Sequence, residues 1–115
     1  MKTLLVACLL FSTRFLFAQS TSDGKIVLDN ADVKVYEFES TPGKDVCGAG
    51  KHSHPAHLTV LLTDASISIT TPDGKVSTKK LKAGTTFWSP AETHMVVNSG
   101  SAEVKCQLVE VKKKS

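Results

Sequence analysis

An all-β domain of about eight short antiparallel strands, built as a sandwich or a barrel, is the fold this sequence predicts. Three observations carry that prediction. No stretch after residue 18 shows a helical period. Several runs instead alternate apolar and polar residues with period two, the pattern of a half-buried strand. Between those runs turn signals recur at close spacing: Pro42-Gly43, Asp73-Gly74, Gly84 and Ser99-Gly100-Ser101.

Taken in order, "KIVLD" at Lys25 to Asp29 is a short strand, and "VKVYEFE" at Val33 to Glu39 is a second. In the latter, Val33 and Val35 share one face and Tyr36 and Phe38 the other. "STPGKDVCGAG" follows and is a loop by composition. His57 to Thr63 and "ASISITT" are further strands, and in the second Ile67 and Ile69 face opposite to Ser66, Ser68 and Thr70. "TPDGK" at Thr71 to Lys75 reads as a hairpin turn, because Asp73-Gly74 supplies the positive φ such turns need. Val76 to Leu81, "TTFW", "THMVVN" and "AEVKCQLVEV" complete the set. Phe87 and Trp88 have opposite facing, so one packs inward and the other covers an edge. In "THMVVN" an inward His94 takes Val96 and Asn98 inward with it, and Asn98 is expected to fix a turn. There is no internal repeat.

The first residues do not read as fold. Lys2 followed by the apolar run Leu4 to Phe11, with "LFAQ" as a cleavage point after Ala18, has the outline of a secretory signal peptide, although Arg14 interrupts it. The expected organisation is a signal peptide over residues 1–18 and one domain over 19–115, exported to the periplasm or secreted. Of the 14 Lys+Arg residues, Lys2 and Arg14 lie in the leader, so 12 remain against 11 Asp+Glu. That near balance gives no reason to expect a nucleic-acid partner, nor a membrane partner once the leader is gone. Cys47 and Cys106 remain after the leader takes Cys8, an even pair in an oxidising compartment. They either form a disulfide or stay apart, with Cys106 buried on a strand and Cys47 unpaired on a loop.

Three of the four histidines fall in "KHSHPAHLTV", Lys51 to Val60. On an extended segment, residues i and i+2 share a face, so His52 and His54 aim at one point. Two neutral imidazoles begin a divalent-metal site, and a third ligand must come from another strand. His94 in "PAETHMVVN" is the remaining histidine for that role. His57 has the wrong parity on a regular strand unless Pro55 marks a bulge, and it stands as a candidate fourth ligand.

At this point the residues resemble a family. "HSHP" at His52 to Pro55, the hairpin ending "PDGK", and "LKAGTTFWSPAETHMVVNSG" look like a small single-domain cupin, with the resemblance running over about 33–112. Gly84, Pro90, His94 and Asn98 match the second cupin motif, and His52 and His54 match the histidine pair of the first. The glutamate ligand of the first motif is absent, since Leu58 and Thr59 stand where it should fall. "DVCGAG" lengthens the spacer between Gly43 and His52. Glu92 occupies the place of a glycine in the second motif; it could turn inward as a carboxylate ligand, but a solvent-facing turn is the expected position. The resemblance implies a jelly-roll barrel holding a divalent metal ion (Fe, Zn, Mn or Ni) on His52, His54 and His94 in its interior. It also implies a small-molecule ligand or substrate and a homodimer formed through the sheets, with "VKVYEFE" and the final strand as candidate interfaces.

Two functions follow from that site. One is a metal-dependent, dioxygenase-like oxidoreductase acting on a small organic substrate, for which iron is the natural ion. The other is a non-catalytic module that binds a small molecule or a metal. Metal-free sugar isomerisation or epimerisation ranks below both, because no aspartate partner for a histidine is evident.

Overall fold

In a computed structural model, residues 24–113 are described, and they fold as two antiparallel sheets with no helix among them. The proposed signal peptide lies outside the described residues. Nine strands are present: β1 (Lys25–Asp29), β2 (Val33–Ser40), β3 (His52–His54), β4 (His57–Leu61), β5 (Ala65–Thr70), β6 (Val76–Leu81), β7 (Thr86–Ser89), β8 (Glu92–Asn98) and β9 (Val104–Val111). The strand added to the expected eight is β3, whose three residues are the H-x-H pair and its spacer.

One sheet has the order β1-β2-β9-β4-β7 and the other β3-β8-β5-β6. The chain crosses between sheets repeatedly, which is the jelly-roll arrangement. Each sheet turns one apolar face inward. Phe38, Leu61, Ala65, Ile67, Val96, Val104, Cys106 and Leu108 meet there as the core, each buried. Removing a large aliphatic or aromatic side chain of this kind from water contributes about 1.5–3 kcal/mol, so the period-two pattern read in the sequence is also the main source of stability.

The turns behave as their residues require. Thr71–Lys75 joins β5 to β6, with Gly74 at φ 83° and its N–H donated to Thr71 O at 2.9 Å. Asn98 is fully buried and closes the corner before β9: its Nδ2 donates to Ser40 O (3.0 Å) and Ala102 O (2.9 Å), and its Oδ1 accepts from Gly100 N (3.0 Å). It fixes a turn, as its position in the sequence suggests.

The "STPGKDVCGAG" segment is a loop, but one fastened along β8. Gly43 N donates to Asn98 O, Asn98 N to Lys44 O, and Val46 N to Val96 O, all within 2.8–2.9 Å. An isolated bridge pairs Asp45 with Val97. Cys47 is therefore carried into the interior beside His94, where it is buried. Cys47 and Cys106 are both free, so the disulfide reading is set aside.

Candidate metal centre

β3 lies antiparallel to the first half of β8, in the register His52↔His94, Ser53↔Thr93, His54↔Glu92. Directly opposed residues in such a ladder project from the same face. Two histidines from β3 and one from β8 are thus delivered to one side of the sheet by register alone. His52, His54, His94 and Cys47 each offer one ligand atom to a group in which all four atoms lie within 4.8 Å of one another. The rings are close and mostly edge-on: centroids are 4.6 Å apart for His52–His54, 4.8 Å for His52–His94 and 5.3 Å for His54–His94.

The tautomers follow from the hydrogen bonds. His52 Nδ1 lies 2.8 Å from Gly50 O. A carbonyl can only accept, so Nδ1 carries the proton and Nε2 presents a lone pair. That loop is tied in turn, because Gly50 N donates to Asp45 Oδ2 at 3.1 Å. His94 Nδ1 faces Glu92 Oε1 at 3.4 Å, which leaves its Nε2 aimed at the cluster. Cys47 Sγ sits 3.4 Å from His52 Nε2 and 3.6 Å from His94 Nε2. The buried Nε2 of His54 has no hydrogen-bond partner among the described residues.

The electrostatics favour neutral ligands. Burial, then the neighbouring imidazoles His52, His57 and His94, press the His54 pKa down to about 4, against a backbone hydrogen bond with Cys47 that raises it. Burial also lowers His94, although Glu92 pulls it back toward the charged form. Burial pushes the Cys47 thiol up. Neutral imidazoles with free lone pairs in a partly dry site are the form in which histidine binds a metal ion. Three such nitrogens with one sulfur, including an orphaned buried Nε2, fit a divalent transition ion by donor type.

His57 lies beside this group without belonging to it. The strand parity argued against it does not apply, because the chain changes sheets at Pro55-Ala56. β3 belongs to the four-stranded sheet, while β4, with His57 at its start, belongs to the five-stranded one. His57 points inward and is 2% exposed. It donates Nδ1–H to Pro55 O (2.8 Å) and turns Nε2 toward Glu92 Oε1 at 3.9 Å. Glu92 does not face solvent at a turn. It opens β8 two residues before His94, on the same inward face, and stands between His94 Nδ1 and His57 Nε2.

Next to the cluster, the space between the sheets is a cavity of about 550 Å³. Leu61, Ile67, Ile69, Val96 and Leu108 form apolar walls, and His57, Glu92, His94 and Cys47 form the polar end. Phe87 turns into this space while Trp88 is 56% exposed on the outside, the division their opposite facing predicts.

Sequence reasoning misses two residues of this arrangement. Cys47 reads as a loop cysteine, and for Glu92 the solvent-facing turn is preferred over the inward position it takes. The signal that points to the first is a cysteine followed by glycine, five residues ahead of an H-x-H pair.

No protein-family model matches the chain. Among curated proteins, it is 30% identical over 87 residues to the beta-alanine degradation protein BauB of Pseudomonas aeruginosa, covering 76% of this chain and 90% of that protein. The chain belongs to the family of that protein. Among solved structures, a cupin domain from Bordetella pertussis Tohama I matches with a TM-score of 0.70 and 28% identity, over 78% of this chain and 92% of that one. This chain is a cupin. A double-stranded β-helix domain protein from Klebsiella pneumoniae shares the fold of this cupin at a TM-score of 0.59 and 24% identity, covering 75% of this chain and 68% of that one.

Proposed function

We propose that this cupin binds a divalent metal ion through His52, His54 and His94 and receives a small organic ligand or substrate in the adjoining cavity. The observation that carries the reading is the convergence of three imidazoles and a thiol whose ligand atoms lie within 4.8 Å of one another, with the buried Nε2 of His54 left without a hydrogen-bond partner among the described residues. An ion held there supplies Lewis acidity, and iron also redox chemistry toward a small thiol or phenol.

The protein's own groups define what the ligand meets. The apolar walls accept a hydrocarbon body and exclude water from it. At the polar end, Glu92 Oε1 and His57 Nε2 face each other 3.9 Å apart. His57 has already donated Nδ1–H to Pro55 O, so both facing atoms are acceptors when His57 is neutral and Glu92 ionised. An amine nitrogen seated about 2.8 Å from each can donate one N–H to each, which a hydroxyl with its single hydrogen cannot. β-Alanine therefore belongs in any ligand panel, as the family relative is named for its degradation.

Residues 1–18 support action outside the cytoplasm, in the periplasm or as a secreted protein. Ile26, Val27 and Leu28, all exposed on edge strand β1, support a homodimer.

Calorimetric titration with iron(II), zinc, manganese and nickel, followed by oxygen uptake and ligand titration with small thiols, phenols and β-alanine, tests the reading. One ion bound per chain with turnover supports an enzyme, and one ion with ligand binding but no turnover supports a binding module. No ion and no ligand bound would overturn both.

A further inference from the structure

We propose that Cys47 is the fourth ligand of this centre, as a thiolate, and that the centre therefore takes a thiophilic divalent ion of the zinc or cobalt class in preference to magnesium or manganese. The inference rests on the reading of His52, His54 and His94 as metal ligands and adds the residue that replaces the missing carboxylate.

The first argument is distance. Two atoms bound to one tetrahedral ion, a sulfur at about 2.3 Å and a nitrogen at about 2.0–2.1 Å, lie about 3.5 Å apart. Cys47 Sγ is 3.4 Å from His52 Nε2 and 3.6 Å from His94 Nε2. The spacing suited to a shared ion is already present at two histidines, one from each of the paired strands.

The second argument is a count of hydrogens. His52 and His94 direct Nδ1 at oxygen acceptors, Gly50 O and Glu92 Oε1, so their Nε2 atoms are acceptors. The Nε2 of His54 has no partner among the described residues. A thiol brings one hydrogen to a place where three imidazoles converge, and it can serve only one nitrogen at a time. Buried polar nitrogens without partners are costly; a cation satisfies the lone pairs of His52 and His94 together, and that of His54 in its Nδ1–H tautomer.

The third argument is how the sequence builds the position. The loop from Pro42 to Lys51 is clipped to β8 by the Asp45–Val97 bridge and by Val46 N→Val96 O. Cys47 is the next residue, and it is buried rather than displayed. The "DVCGAG" segment that lengthens the first motif is thus the segment that brings in sulfur. On binding, the Sγ–H proton leaves to solvent as the sulfur–metal bond forms, and no electrons are transferred. The thiolate then contributes the single negative charge that a glutamate ligand would have supplied. Soft thiolate favours zinc-like ions, whereas magnesium and manganese suit oxygen donors. Four protein ligands also close a tetrahedral site, the pattern of structural rather than catalytic zinc, which favours the non-catalytic reading of the cupin.

The test is cobalt(II) titration of the purified chain under anaerobic, reducing conditions, read by absorption. The expected result is an intense thiolate-to-cobalt charge-transfer band in the near ultraviolet that saturates at one equivalent. Zinc should abolish it, and excess magnesium or manganese should leave it. Cys47→Ser should lose the band and weaken binding by at least about 10-fold, while Cys106→Ser keeps both. Cys47→Ala serves as a second variant should serine disturb this buried position, and the unmodified protein's own spectrum needs no variant. Cobalt bound without the band, or a band that follows Cys106, overturns the role of Cys47 and leaves the three-histidine centre standing. No cobalt uptake at all overturns the centre itself.

Discussion

The backbone of Gly48 lies against the imidazole of His52: a Cβ at position 48 would stand 2.8 Å from His52 Cγ and 2.9 Å from its Nδ1. Gly48 also has φ +151°, a conformation that side chains disfavour. The ring therefore occupies space that only glycine leaves open. Gly48→Ala should displace His52 and weaken metal binding about 10- to 100-fold, the range found when the support of a ligand is disturbed. The strain at that φ should also cost about 1–3 kcal/mol in fold stability. Competition against a chromophoric chelator reads the first effect and urea unfolding the second. Unchanged affinity would mean that His52 does not need this packing to bind an ion.

Glu92 Oε1 lies 3.4 Å from His94 Nδ1, and its negative charge there favours the tautomer whose free Nε2 faces the cluster. Glu92→Ala should reduce metal affinity by about 10-fold. Glu92→Gln, which keeps an oxygen acceptor, should lose much less. Equal affinity in all three proteins would remove Glu92 from the support of the centre.

Much of this arrangement is legible in the sequence. Alternation places β2, β5, β8 and β9 in the chain, and Asp73-Gly74 places the hairpin that returns as β6. His52, His54 and His94 share a face for a reason visible in the sequence, the two-residue repeat of an extended strand. The role of Cys47 is not legible there, because its burial depends on loop-to-β8 hydrogen bonds between residues 42–47 and 96–98, far apart in the chain. Parity misjudges His57 for a related reason. It assumes one continuous strand where the chain changes sheets at Pro55-Ala56.

Acid should destabilise the metal-free protein. The folded-state pKa of His54 is lowered from 6.5 to about 4, so the unfolded chain binds the proton more readily than the folded one across that interval. Stability should be full above about pH 6.5 and decline as the pH falls toward 4. His94, whose pKa is also lowered, adds in the same direction. His54 is half-buried, so solvent screening reduces its share to on the order of 1 kcal/mol. Urea midpoints between pH 4 and pH 7 measure this, and His54→Gln should flatten the curve. A midpoint independent of pH would contradict the burial of neutral imidazoles.

Asn98→Ala should destabilise the fold by about 3 kcal/mol, because it strips partners from three backbone groups at a corner with no solvent exposure. Metal affinity per folded molecule should change little. A loss under about 1 kcal/mol by urea unfolding would mean that water or a rearranged turn takes over those bonds.

The central claim is that the interior histidines hold a metal ion. Elemental analysis of the purified protein beside a His52→Ala/His54→Ala double variant tests it most directly. The expected result is about one transition-metal ion per chain in the unmodified protein and none in the double variant. No metal in either protein, even after reloading with zinc and iron(II), would contradict the claim and leave a cupin whose histidines line a metal-free polar pocket.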